Sequence, residues 1–150
     1  MKFSTRTLYG LRAVLVLASR FGQGSLSVSW IAKKENISIA YLEQILNALK
    51  KKDLVKSVRG PQGGYVLAKK PSELSLEALL TVLDAWPDAL QGSRKPTGKD
   101  FDEVAVANFL FWSKLKSAIQ KNLSGIYLSD LMHETRSLRK AKASPHSFQI

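Results

Sequence analysis

Arg59 opens a turn between two short runs of strand-forming residues, VKSV at 55–58 and YVL at 65–67. A guanidinium on a loop with little side-chain bulk beside it, here Gln62 and Gly63, can lie on DNA and enter a narrow minor groove. The same glycines also satisfy ordinary turn chemistry with no ligand at all. A second constellation precedes it: Ser38, Ala40, Tyr41, Glu43 and Gln44 fall in the first turns of a predicted helix. Small residues there permit close approach, Ser and Gln can donate or accept at base edges, and hydroxyls suit phosphates. Glu43 can accept from cytosine N4, or be a solvated carboxylate favoured by the helix dipole. Lys50, Lys51, Lys52 and Lys56 follow, as phosphate contacts or as a solvated charged face.

This is the chemistry of recognition. No nucleophile–base pair and no paired catalytic acids stand out, so no enzyme is expected. RGPQGG lacks the Gly-Lys-Ser/Thr ending of a nucleotide-binding loop and sits in a hairpin. Asp84, Asp88, Asp100, Asp102 and Glu103 offer hard oxygens to a cation, but they equally suit loop and helix-start positions, and no metal is expected. Trp86, Phe109 and Trp112 can line a small-ligand pocket or simply pack.

The elements that must position these residues follow from periodicity and caps. Ser4 caps a first helix to about Phe21, with Leu8, Leu11, Val14, Leu15 and Ala18 as its apolar stripe. Ser27 caps a short helix to about Glu35, with Ile31 and Ala32 inward, and Asn36 is a left-handed stop. Ser38 caps a third helix, in which Leu42, Ile45, Leu46 and Leu49 form the core face. The tight Asn36–Ile37 junction makes a helix-turn-helix, whose second helix can project its N-terminus into a major groove. After the hairpin, Ser75 caps a helix through Asp84 with Leu76, Leu79, Leu80 and Leu83 inward. The stretch 85–99 reads as a long mobile connection. A long helix over about 102–122 is apolar on more than one side, which suits either a partner subunit or central burial in a monomer. A short helix over about 128–136 precedes a tail expected to be disordered to residue 150.

Composition sets the outer bounds. The 150 residues hold 23 Lys and Arg against 12 Asp and Glu, a net +11, which favours a polyanionic partner. There is no cysteine, so disulfides and thiolate ligands are impossible. The apolar run 8–18 is too short to span a bilayer and is broken by Arg12, no signal peptide is expected, and a cytoplasmic location without a membrane partner follows.

The segments KFSTRTLYGLRAV, ISIAYLEQILNALKKKDLVKSVRGPQGGYVLAK and SLEALLTVLD resemble the IscR/NsrR/CymR-type regulators, the Rrf family of bacterial winged-helix transcription factors. The likeness is dense over residues 1–84 and looser to about 131. It implies a mainly α fold with a small β-hairpin wing, a winged helix-turn-helix over 1–84, a flexible loop over 85–101, dimerisation helices over 102–135 and a tail over 136–150. It also implies a homodimer on double-stranded DNA. Ser38, Ala40, Tyr41, Glu43 and Gln44 match its recognition-helix contacts, Arg59 its minor-groove residue, and Lys2, Ser4 and Arg6 its N-terminal backbone contacts.

Many members of that family hold an iron–sulfur cluster through three cysteines in the loop before the long helix. This chain has none, and its histidines, His133 and His146, lie elsewhere, so it resembles a cluster-free branch with no cofactor. The resulting expectation is a homodimeric repressor on a pseudo-palindromic operator, with a protein or small-molecule effector. The alternative is an interaction module that regulates through a partner such as a metabolic enzyme.

Overall fold

The computed structural model describes residues 2–84 and 94–143. Six α-helices and one hairpin are placed: α1 Thr5–Ser19, α2 Val28–Glu35, α3 Ile39–Lys51, β1 Val55–Val58, β2 Gly64–Leu67, α4 Leu76–Leu83, α5 Glu103–Ser124 and α6 Leu128–Ala143. Short 3-10 turns cover Pro71–Glu73 and Gly98–Asp100. The fold is thus mainly α with a two-stranded antiparallel wing, in the order helix-turn-helix, wing, helices.

Each of the first four helices begins on a serine whose hydroxyl accepts an otherwise orphaned backbone N–H. Ser4 takes Thr7 N–H, Ser27 takes Trp30, Ser38 takes Tyr41 and Ser75 takes Ala78. Asn36 ends α2 in the left-handed conformation (φ 55°, ψ 52°), and the chain turns directly into α3. Leu42, Ile45, Leu46 and Leu49 are all buried, as their spacing predicts, with Ile31 of α2, Val14 and Leu17 of α1, and Leu79 and Leu83 of α4.

The rotation of α1 differs from the stripe read in the sequence. Val14 and Ala18 are buried, but Leu11 and Leu15 are half-buried and Leu8 is exposed, while Thr7, Gly10, Ala13 and Leu17 face the core. The helix is apolar on most sides, so periodicity alone allows several phases. Close approach selects one: a Cβ on Gly10 would collide with Leu83 Cδ2 and crowd Ile45 Cγ2. In α4 the inward row is Leu79 and Leu83, with Leu76 and Leu80 half-buried.

The C-terminal part is anchored back onto this core. Leu76 N–H donates to the Ile126 carbonyl at 2.8 Å and Leu128 N–H to the Leu74 carbonyl at 2.9 Å. Leu128 is fully buried in the same cluster. Helix α6 continues to Ala143, so residues 136–143 are helical where a disordered tail is expected from residue 136; the remainder of that tail lies outside the described residues. Most of the 85–101 loop, with Trp86 and Asp88, and also His146, lies outside them too.

Candidate nucleic-acid interface

Helix α3 separates two surfaces on one cylinder. Its leucine and isoleucine row is sealed in the core, which leaves Ala40, Glu43, Gln44 and Lys51 exposed on the outside. Ser38 stands at the N-cap, also exposed. Tyr41 is half-buried because its ring meets Tyr9 of α1 edge to face, with centroids 6.0 Å apart. That contact ties the start of α3 to the N-terminal half of α1. Lys2, Ser4 and Arg6 precede or open α1 and are all exposed.

The start of α1 is held by a carboxylate from the far end of the domain. Asp84 Oδ2 accepts Ser4 N–H at 3.2 Å and the Thr7 hydroxyl at 3.0 Å. The backbone N–H of Ser4, then the Thr7 hydroxyl, hold the Asp84 carboxyl below the usual carboxylate range, with the Arg6 charge adding to them. Ser4 is therefore used three ways, with its hydroxyl on Thr7 N–H, its N–H on Asp84, and its outer side free to solvent.

The wing pairs Val55 with Leu67, Lys56 with Val66, Ser57 with Tyr65 and Val58 with Gly64. Its turn is closed by Gly63 N–H donating to the Gly60 carbonyl at 2.9 Å. Gly60 has φ +118°, a conformation that side chains rarely adopt. Arg59 and Gln62 are exposed on this turn and Gly63 is half-buried. Among the described residues Arg59 forms no ion pair.

A third segment joins the wing. Leu26 N–H donates to the Tyr65 carbonyl at 3.0 Å and Tyr65 N–H to the Leu26 carbonyl at 2.8 Å. The Ser25 hydroxyl donates to the Gln62 carbonyl at 2.6 Å. A Cβ on Gly64 would strike the Leu26 carbonyl, so glycine is what permits the approach. The wing is thereby fixed to the entry of α2, and α2 to α3 by the Asn36 turn.

Four further residues, Ile39, Trp30, Arg20 and Lys34, stand at this surface without a distinct sequence signal. Ile39, the first residue of α3, is 50% exposed, an apolar group beside Ala40. Trp30 of α2 is 39% exposed, with the Arg20 guanidinium and the Lys34 ammonium each 5.7 Å from its ring centre. Only the Trp30–Lys34 spacing of four could have suggested one of these pairs. A cavity of about 470 Å³ lies between Trp30, Ser27 and the wing turn at Pro61–Gly63.

No metal-binding group is formed by three or more His, Asp or Glu among the described residues, and Asp102 instead caps α5 through Ala105 N–H. Trp112 donates its indole N–H to Asn108 of its own helix. No helix of the described residues is long and apolar enough to cross a membrane.

Comparison with known proteins agrees with this geometry. Residues 3–134 match the family model described as "Rrf2: Iron-dependent Transcriptional regulator". The chain is 34% identical to the HTH-type transcriptional regulator CymR of Bacillus subtilis, covering 94% of this chain and 96% of that protein. It is 32% identical to the HTH-type transcriptional regulator IscR of Sodalis glossinidius, over 88% of this chain and 79% of that one. Among solved structures, T. potens IscR superposes with a TM-score of 0.72 at 35% identity, covering 90% of this chain and 88% of that chain. CymR of B. subtilis does so with a TM-score of 0.70 at 33% identity, covering 87% and 95%. The donor set here does not fit the thiolate-held iron–sulfur cluster that the sequence resemblance raises. The chain has no thiolate to offer, and His133 stands exposed on α6.

Proposed function

The chain belongs to the Rrf2 family of DNA-binding transcriptional regulators, and we propose that it acts as a cluster-free, homodimeric repressor in the cytoplasm. It binds a pseudo-palindromic operator. The supporting observation is the division of α3, where a fully buried leucine face holds a polar N-terminal face outward, beside a wing whose Arg59 forms no ion pair among the described residues. In this reading Ser38, Ala40, Glu43 and Gln44 face base edges in the major groove, and Tyr41 adds a hydroxyl near them. Ile39 supplies an apolar contact suited to a thymine methyl. Arg59 enters the minor groove, flanked by Gln62 and Gly63. Lys2, Ser4, Arg6 and Lys51 hold phosphates, Ser4 from an end already fixed by Asp84.

The second copy is inferred from α5. Its half-buried row, Ala105, Phe109, Trp112, Ile119 and Leu123, lies toward its own chain, while Val104, Phe111 and Leu115 stand exposed along another side. Two copies crossing there would cover that side and present two recognition helices to one operator.

Selection of bound sequences from random duplex DNA at near-physiological salt tests this reading. A two-fold symmetric motif is the expected outcome. Salt-sensitive binding without an enriched motif would leave only the electrostatic attraction of a +11 chain and would overturn it. On the selected operator, Arg59→Ala should cost about 1–3 kcal/mol and relax preference at A·T-rich minor-groove positions.

A further inference from the structure

A groove of about 330 Å³ lies where the C-terminal end of α1, the Pro71–Glu73 turn and the middle of α6 meet. Its composition is unlike that of the nucleic-acid face. Lys70 enters it from the turn and Arg136 from α6. Neither side chain forms an ion pair among the described residues, and no described carboxylate lines the groove. Glu73, three residues from Lys70, is occupied with the Lys70 backbone N–H at 3.1 Å, and Asp130, next to Ser129, accepts Tyr127 N–H at 2.8 Å.

Beside the two cations stand the hydroxyls of Ser72 and Ser129, neither with a hydrogen-bond partner among the described residues. The rest of the wall is mixed: Ser19 and Gln23 are polar, while Ala18, Pro71, half-buried Met132 and Phe21, which leaves 45% of its surface open, are apolar. None of the groove's described lining comes from α3 or the wing.

Two uncompensated cations facing one concavity favour a dianion over a monoanion. Free hydroxyls supply the donors that phosphate oxygens seek, and Phe21 and Met132 supply a surface for an apolar body. We propose that this groove binds a small phosphate monoester carrying a compact apolar or aromatic group. Because its walls come from α1, the Pro71 turn and α6, the ligand bridges the winged-helix part and the C-terminal helix. The size sits at the lower end of small-molecule sites, which suits a compact ligand.

The test is a titration of the full-length, isotope-labelled protein with phenyl phosphate, followed by backbone amide shifts. Saturable shifts at Phe21, Ser72 and Ser129 are expected, with at least tenfold weaker binding in Arg136→Ala and in Lys70→Ala. Both residues are exposed, so both variants should fold. Benzoate, inorganic phosphate and benzyl alcohol should each bind at least tenfold more weakly, since each lacks a charge or a ring. Shifts confined to the wing and α3, or affinity unchanged in both variants, would overturn the proposal. Arg59→Ala separates this site from the operator reading: it should weaken DNA binding and leave phenyl phosphate binding unaltered. A protein that selects an operator motif but shows no saturable groove binding would sink this inference alone.

Discussion

Helices α3 and α5 are both rich in apolar residues, yet they dispose of them in opposite ways. The shorter α3 buries four large aliphatic side chains completely and shows solvent a polar face. The 22-residue α5 buries none, and Phe111 is 61% and Val104 77% exposed along it. The hydrophobic effect acts on both sequences equally, so the difference lies in what covers them. The core of one chain is sufficient for α3. It accounts for only one side of α5, and the other side, with Val104 and Phe111, stays open in a single chain.

The largest expected effect sharpens the α3 side. Leu46→Ala removes a fully buried side chain and should lower unfolding free energy by about 2–5 kcal/mol. Chemical denaturation at two protein concentrations checks it. The loss should be the same at both, because the contacts of Leu46 lie within one chain.

Phe111→Ala is the matching change on α5. If α5 is covered by a second copy, the variant should dissociate at concentrations where the unmodified protein is dimeric, at a cost of about 1–3 kcal/mol. Its loss of stability relative to the unmodified protein should depend on protein concentration, while that of Leu46→Ala should not. Sedimentation across a dilution series reads this directly. An unchanged oligomeric state would end the contrast between the two helices.

Much of this contrast was legible in the sequence, and the illegible remainder has physical causes. The α3 leucine row, its Ser38 cap, the Asn36 stop and the two strand runs of the hairpin all depend on neighbours a few residues away, which pattern reading captures. The rotation of α1 does not. Its apolar residues fit several phases, and the choice rests on Gly10 meeting Leu83 and Ile45, contacts distant in sequence. The Leu26–Tyr65 pairing and the Asp84 tether are equally long-range, with no local signature. The extension of α6 to Ala143 escaped because its last turns are rich in basic residues, with Leu138 the one large apolar residue over 136–143, which resembles a solvated tail.

A smaller effect probes the exposed edge of α3. Ser38→Ala removes the hydroxyl that accepts Tyr41 N–H, and should cost about 1 kcal/mol of stability. Fraying the first turn also moves Ala40 and Tyr41, so operator affinity should fall by more than the loss of one Ser38–DNA hydrogen bond would give. Ser38→Asp restores a cap while placing a negative charge near phosphate. Recovery of stability without recovery of DNA binding would separate the capping role from the contact.

The smallest effect concerns Asp84, which fixes the start of α1 as the core fixes α3. Its carboxylate accepts from Ser4 N–H and the Thr7 hydroxyl, and these bonds favour the ionised form. The folded-state pKa therefore lies below the ordinary value of 3.8. A depressed carboxyl pKa stabilises the fold above the unfolded-state value, and that contribution disappears as the pH falls through the folded-state value. Asp84→Asn should thus lower stability modestly near neutral pH, and the gap to the unmodified protein should narrow and close as the pH falls below the ordinary carboxylate value of 3.8 and through the folded-state value. Thermal unfolding of both proteins from pH 7 down to pH 2.5 checks this. A constant gap at every pH would mean that Asp84 acts through shape alone, and that the N-terminal arm is not held by its charge.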